Sequence, residues 1–168
     1  LGIQPEIAHS WSISPDGLRY TFQLRKDVYF HPSPLFGASQ TRKVVAADFV
    51  NSFDRLKDAE LASPGSWVLQ QVERYEAPAE DVFTVHLKNP FPAFLGLLTM
   101  RYCAVVPNEV ANHYGANFRS HPIGTGPFCF KRWDENVKLV LRKNPNYFEK
   151  DENGNKLPYL DAIAIQFI

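Results

Sequence analysis

Between residues 122 and 128 the chain reads Pro-Ile-Gly-Thr-Gly-Pro-Phe, and this run limits sharply what can surround it. Proline fixes its own φ and drives its predecessor toward extended backbone, while glycine admits positive φ and close backbone approach. Gly124 and Gly126 are therefore expected to be explained chiefly by backbone geometry. Directly behind the run come Phe128-Cys129-Phe130-Lys131-Arg132-Trp133 and Val137-Lys138-Leu139-Val140-Leu141-Arg142, two strand-like stretches. The loop thus launches a hairpin. A Gly-x-Gly could also suggest a phosphate cradle, but that device needs a following helix and a lysine, and neither is present. The plainer reading is a tight turn into a strand.

The rest of the chain repeats this strand-turn character. Trp11-Ser12-Ile13 meets Ser14-Pro15-Asp16-Gly17, with proline second and glycine last, as a type I turn prefers. Tyr20, Phe22 and Leu24 then alternate with polar residues, the pattern of an antiparallel sheet with one wet face. Phe83, Val85 and Leu87 alternate in the same way, and Glu73 to Ala77 supplies a partner strand. Residues 31–43 carry two prolines, a glycine and basic residues, and are expected to form a surface loop.

Phe49, Val50, Phe53 and Leu56 form an apolar stripe that predicts a helix over Ala46 to Lys57. Shorter helical stretches are expected over Ser66 to about Val72 and around Phe91 to Leu98. A brief strand is expected from Cys103 to Val106, then a helix with Pro107 at its start and Gly115 past its end. Strands dominate and no regular βαβ alternation occurs, so the expected class is α+β, with mixed, largely antiparallel sheets and short helices. The chain begins at Leu1 without methionine and stops within the strand-like run Ala162 to Ile168, which we read as a piece of a longer protein.

Lysine plus arginine equals aspartate plus glutamate at 18 each, which leaves no electrostatic footprint for nucleic acid or an anionic membrane. No apolar run approaches the roughly 18 residues that span a bilayer. Cys103 and Cys129 permit at most one disulfide and match no metal motif; buried free thiols are the plainer reading. Glu109 and His113 lie four apart on a predicted helix and could donate two metal ligands, but no third has suitable spacing. His86 falls on the polar side of its strand. No nucleophile motif appears, so nothing in the residues supports an enzyme or a cofactor. Thirteen Phe, seven Tyr and three Trp exceed what one small core needs, so some are candidates for lining a cleft. Trp67 leads them; packing against the Phe49/Phe53 helix is its alternative.

Several runs together resemble the family 5 extracellular solute-binding proteins, the dipeptide, oligopeptide and nickel-binding components of ABC importers. They are Ile7-Ala8-His9-Ser10-Trp11, Ser14 to Lys26, Ala47 to Leu56, Pro122 to Phe128, Leu141-Arg142-Lys143-Asn144-Pro145-Asn146-Tyr147-Phe148 and Leu157-Pro158-Tyr159-Leu160-Asp161. Each alone is modest; six in the family's order are specific.

The resemblance implies a bilobed periplasmic-binding-protein type II fold of which this chain is part. Residues 1–118 would be the small subdomain of the first lobe, and 119–168 the return to that lobe's main sheet, with the second lobe absent. It implies capture of a small peptide or similar solute in an interlobe cleft and delivery to ABC permease subunits. The protein would be a monomer in the periplasm or cell envelope, either free or anchored as a lipoprotein. A ligand-sensing protein that signals to a membrane receptor is the alternative, and a metal-dependent hydrolase built on Glu109 and His113 a remoter one. Trp67 occupies the place of a ligand-facing aromatic, Arg101 to Cys103 match a second ligand-facing region, and Thr125 is a candidate ligand neighbour. In nickel-binding members an arginine stands where Cys103 falls here, which argues against a nickel chelate. Two further departures are the long 31–43 loop and the absence of a capping threonine before Ala46, a loss of about 1 kcal/mol unless another residue supplies the cap.

Overall fold

The turn at Ser14-Pro15-Asp16-Gly17 closes as its residues require. Gly17 N–H donates to the Ser14 carbonyl at 2.8 Å, and Gly17 adopts φ +71°, which favours glycine. It joins β1 (Ala8–Ile13) to β2 (Arg19–Leu24) in the computed structural model, which describes residues 2–167. Two further strands, β3 (Val72–Ala79) and β4 (Val82–Leu87), complete an antiparallel sheet of order β1-β2-β4-β3. The register sets Phe22 opposite Phe83 and Tyr20 opposite Val85. The alternating apolar residues of β2 and β4 therefore share one face, and all six of Tyr20, Phe22, Leu24, Phe83, Val85 and Leu87 are buried.

Helix α1 (Ala46–Lys57) covers that face with the predicted stripe. Phe49 stacks on Phe83 at 5.3 Å, and Phe53 meets Phe83 and Tyr75 edge-on, each at 5.3 Å. No side chain at Val45 caps the helix, and the backbone N–H groups at its start find two other acceptors, one in the first turn and one outside the helix. Buried Asp48 accepts from Val45 N–H at 2.9 Å, and the Glu80 carbonyl accepts from Ala46 N–H at 2.8 Å. The short α2 (Phe94–Leu98) seats fully buried Phe94 edge-on against Tyr20 at 5.0 Å.

These elements form one compact unit, residues 1–26 and 45–106; residues 27–44 and 107–168 form a second. The grouping differs from a division at residue 118, because the 27–44 excursion and residues 107–118 make their contacts with the later chain. The second unit carries α3 (Asn108–Tyr114) and the antiparallel sheet β5 (Phe128–Asp134), β6 (Lys138–Lys143) and β7 (Ala162–Gln166), in that order. β7 stops at Gln166, and Ile168 lies outside the described residues.

Residues 31–43 are not merely a surface loop. Val28, Phe30, His31 and Ser33 are buried, and Pro34–Ser39 winds into a 3-10 segment that Ser33 caps by accepting from Leu35 N–H. Arg42 lies over the Phe30 ring at 4.9 Å and pairs through two nitrogens with Glu109 of α3. The strand expected at Cys103 to Val106 is instead a 3-10 turn over Arg101–Cys103 followed by extended chain. Cys103 and Ala104 N–H groups are used by the carbonyls of Met100 and Arg101, three residues back, so they are not available to a ladder. The helical stretch expected to reach Val72 is likewise a 3-10 turn ending at Leu69.

Candidate functional site

In the first unit the candidate residues fall on two neighbouring turns. Trp67 sits on the Ser66–Leu69 turn, whose Val68 and Leu69 are buried while Trp67 itself is half exposed. Apolar neighbours thus anchor the turn and leave half of the Trp67 surface exposed. A shallow depression of about 500 Å³ opens beside it, with Lys57, Gln70 and Lys88 around its margin. Lys88 is fixed there by donating from Nζ to the Gln70 carbonyl at 2.8 Å.

Arg101 and Cys103 belong to the second turn, and Tyr102 joins it to the first. A Cβ at Gly65 would stand 2.5 Å from Tyr102 Cδ1 and 2.6 Å from its Cβ, so the Tyr102 side chain lies directly on the Gly65 backbone. Only glycine allows that approach. Arg101 is exposed, with its guanidinium over the Tyr102 ring at 5.5 Å. Cys103 turns the other way: its thiol donates to the Leu97 carbonyl and it packs against the apolar core cluster. It also lines a small apolar cavity of about 110 Å³ with Phe22, Phe49, Phe53 and Phe83. Burial pushes its thiol up to about 11, so it is an inert neutral group at ordinary pH. The Gly65–Tyr102 contact was not identified from sequence; the Pro64-Gly65 pair was its only local signal.

In the second unit Thr125 stands half-buried in the 122–128 loop. Neither Gly124 nor Gly126 has positive φ, and an added Cβ would meet only His31 Cε1 at 3.8 Å at the former and nothing within 4 Å at the latter. The expectation that backbone geometry explains both glycines is therefore corrected. Side chains from elsewhere hold the loop instead. His31 bonds its ring nitrogens to Gly124 N–H at 3.3 Å and the Gly126 carbonyl at 2.9 Å. Buried Asn144 donates from Nδ2 to the same Gly126 carbonyl at 2.9 Å and from its backbone N–H to the Pro127 carbonyl at 2.8 Å. The loop runs into an apolar trough of about 560 Å³ lined by Phe128, Phe130, Trp133, Leu139, Leu141 and Phe167, with Arg119 and His31 also on its wall.

The metal pair is not assembled. Glu109 is committed to Arg42, which holds its carboxyl below the usual carboxylate range, and His113 packs edge-on against Tyr114 at 4.8 Å. Among the described residues no group of three or more His, Cys, Asp or Glu could hold a metal ion. His86 is engaged rather than simply solvated: it bonds Glu76 at 3.1 Å and Arg74 at 3.3 Å. Both cysteines are free, and burial raises the Cys129 thiol to about 11 as well.

Comparison with known proteins places this geometry. The di/tripeptide-binding protein 2 of Pseudomonas aeruginosa is 34% identical over 161 residues, spanning 86% of this chain and 30% of its own length. The glutathione-binding protein GsiB of Pectobacterium atrosepticum is 31% identical over 158 residues, spanning 94% of this chain and 28% of its own. Among solved structures, the ABC transporter-associated periplasmic binding protein DppA from Helicobacter pylori, in complex with the peptide STSA, superposes with a TM-score of 0.82 at 31% identity. That match covers 99% of this chain and 34% of DppA. The architecture is thus part of a periplasmic-binding-protein type II fold, and the chain spans about 30% of the length of the curated relatives it matches. The profile of the bacterial extracellular solute-binding proteins, family 5 Middle, matches residues 2–168, and the chain belongs to that family.

Proposed function

We propose that this chain is part of the substrate-binding component of an ABC importer that captures small peptides in an interlobe cleft and delivers them to membrane permease subunits. The observation that carries the reading is that peptide-binding relatives match the chain over most of its length, with a peptide-bound neighbour covering 99% of it. In this reading the first unit is the small subdomain of the first lobe and the second unit belongs to its main sheet. Residues 27–44 and 107–118 then go with the sheet. In the first unit Trp67 and Arg101 are the ligand-facing candidates, offering an aromatic face and a positive charge; in the second unit, taken by itself, Thr125 is a candidate ligand neighbour through its hydroxyl. Tyr102 joins the first two, while Cys103 is a packing residue. Capture follows hinge closure of two lobes around the peptide backbone, with hydrated pockets accommodating varied side chains. The parent acts as a monomer in the periplasm or cell envelope, free or lipid-anchored.

Mass spectrometry of small molecules that co-purify with the full-length protein tests the substrate class. Short peptides are the expected result; a single non-peptide solute in their place sinks the peptide reading and leaves family membership intact. Calorimetry on the 168-residue chain tests the two-lobed mechanism. Weak or no peptide binding is expected, and submillimolar binding would show that one partial lobe suffices.

A further inference from the structure

The residues on either side of Thr125 are held by one side chain. His31 is buried, its Nδ1 accepts from Gly124 N–H at 3.3 Å, and its Nε2 reaches the Gly126 carbonyl at 2.9 Å. The partners fix the tautomer. A backbone N–H can only donate and a carbonyl can only accept, so the ring must be neutral with its proton on Nε2. The backbone of His31 adds a third tie, its N–H donating to the Gly124 carbonyl at 2.8 Å. We propose that His31 is a proton-sensitive clamp that positions Thr125 by gripping both of its neighbours.

Protonation has one place to go. A proton on Nδ1 turns that atom from acceptor to donor and sets it against the Gly124 N–H, so this bond is lost and the two N–H dipoles oppose each other. The Gly126 end behaves differently. Its carbonyl still accepts from Nε2–H, and Asn144 Nδ2 donates to it independently at 2.9 Å. Release is therefore one-sided: the Gly124 N–H is freed from Nδ1, while the Gly124 carbonyl keeps its bond to the His31 backbone N–H and the Gly126 carbonyl stays anchored. The clamp acts on the loop whatever solute the parent protein takes.

The surroundings set the pH at which this happens. Arg119, from the 3-10 segment Gly115–Ser120, is the charged side chain that shares the trough with His31. Titration of His31 is governed first by desolvation, which lowers its pKa, and then by the Gly126 bond, which opposes the lowering; no charged side chain is among the causes. The neutral clamp is therefore complete above the ordinary histidine range. Its stabilisation is lost as pH falls from the unfolded value of about 6.5 through the lowered folded value.

The test is a pH titration of the 168-residue chain by NMR from about pH 7.5 to about pH 5, the range in which histidine changes charge. It follows the His31 ring nitrogens together with the amides of Gly124, Thr125, Gly126 and Asn144. The expected result is a neutral, Nε2-protonated ring at the upper end. On acidification the Gly124 and Thr125 amides shift with the same midpoint as His31, below that of free histidine, while the Asn144 amide holds still. In His31→Gln, whose amide offers a donor and an acceptor but does not titrate, the coupled shift of Gly124 and Thr125 disappears. The urea midpoint of the variant also loses the part of its acid decline that depends on His31. The proposal is overturned if His31 titrates at or above the free value, if the Gly124 amide moves independently of it, or if His31→Gln keeps the full response. Should the variant fail to fold, the wild-type titration decides alone.

Discussion

Gly65→Ala isolates the contact that joins the two candidate turns. At φ −94° and ψ −1° residue 65 is in a region any residue adopts, so alanine brings no backbone strain. Considered alone, replacing a glycine there stabilises by about 0.4–1 kcal/mol, because the unfolded chain loses freedom. The new methyl, however, falls 2.5 Å from Tyr102 Cδ1 and 2.6 Å from Tyr102 Cβ, where ordinary contact begins at 3.4 Å. Tyr102 has little room to yield, since it packs against the core cluster and carries Arg101 over its ring. Overpacking of this kind costs about 1–3 kcal/mol, so the net loss runs from about 0 to about 2.6 kcal/mol and centres a little above 1 kcal/mol. Urea unfolding followed by tryptophan fluorescence measures it, with an unchanged slope and a lower midpoint. The decisive comparison repeats the substitution in Tyr102→Gly. Tyr102→Ala does not serve, because its Cβ is one of the clashing atoms. In the glycine background Gly65→Ala is expected to turn neutral or mildly stabilising. An equal loss in both backgrounds would refute the steric argument, since the coupling would then be zero.

Three further outcomes follow from the described contacts. Asp48→Ala removes the acceptor of the Val45 N–H and is expected to destabilise by about 1–2 kcal/mol, read as a lower urea midpoint; an unchanged midpoint means that the Glu80 carbonyl suffices as the cap. Cys103 and Cys129, both near 11, should alkylate far more slowly at about pH 8 than a free thiol of pKa about 8.5, and unfolding in urea should abolish the difference; fast labelling in the folded chain contradicts their burial. Asp151 is held at about 2, first by the Tyr159 hydroxyl and then by Asn155. Its native-state contribution is present above the unfolded value of about 3.9 and is lost as pH falls toward 2. Tyr159→Phe should therefore raise the Asp151 midpoint measured by carboxyl NMR, and an unmoved midpoint assigns the effect to Asn155 instead.

Local pattern was legible wherever a period or a turn rule acts within a few residues. The alternation of Tyr20, Phe22 and Leu24 fixed which face of β2 is buried, the stripe from Phe49 to Leu56 fixed α1, and Pro107 and Gly115 framed α3. The long order of six motifs pointed to the solute-binding family, which the match over residues 2–168 establishes. Trp67 could be singled out because an aromatic on a loop-flanked turn has two environments to choose between, and beside buried Val68 and Leu69 it stays half exposed.

What sequence alone could not decide were contacts between residues far apart in the chain. Cys103 is apolar in context on either reading; only the core cluster and the Leu97 carbonyl turn its thiol inward. Residues 31–43 looked like a surface loop because their prolines and basic residues are typical of one. Burial of His31 and the Arg42–Glu109 pair depend on the chain beyond residue 107 coming to meet them. The 122–128 run makes the same point: its two glycines and two prolines announced a framed loop before β5, yet neither glycine has positive φ. The sequence determined that a loop stands there. Only the tertiary structure decided that it is held from outside, by His31 and Asn144, because hydrogen bonds spanning 93 and 18 residues leave no periodic trace along the chain.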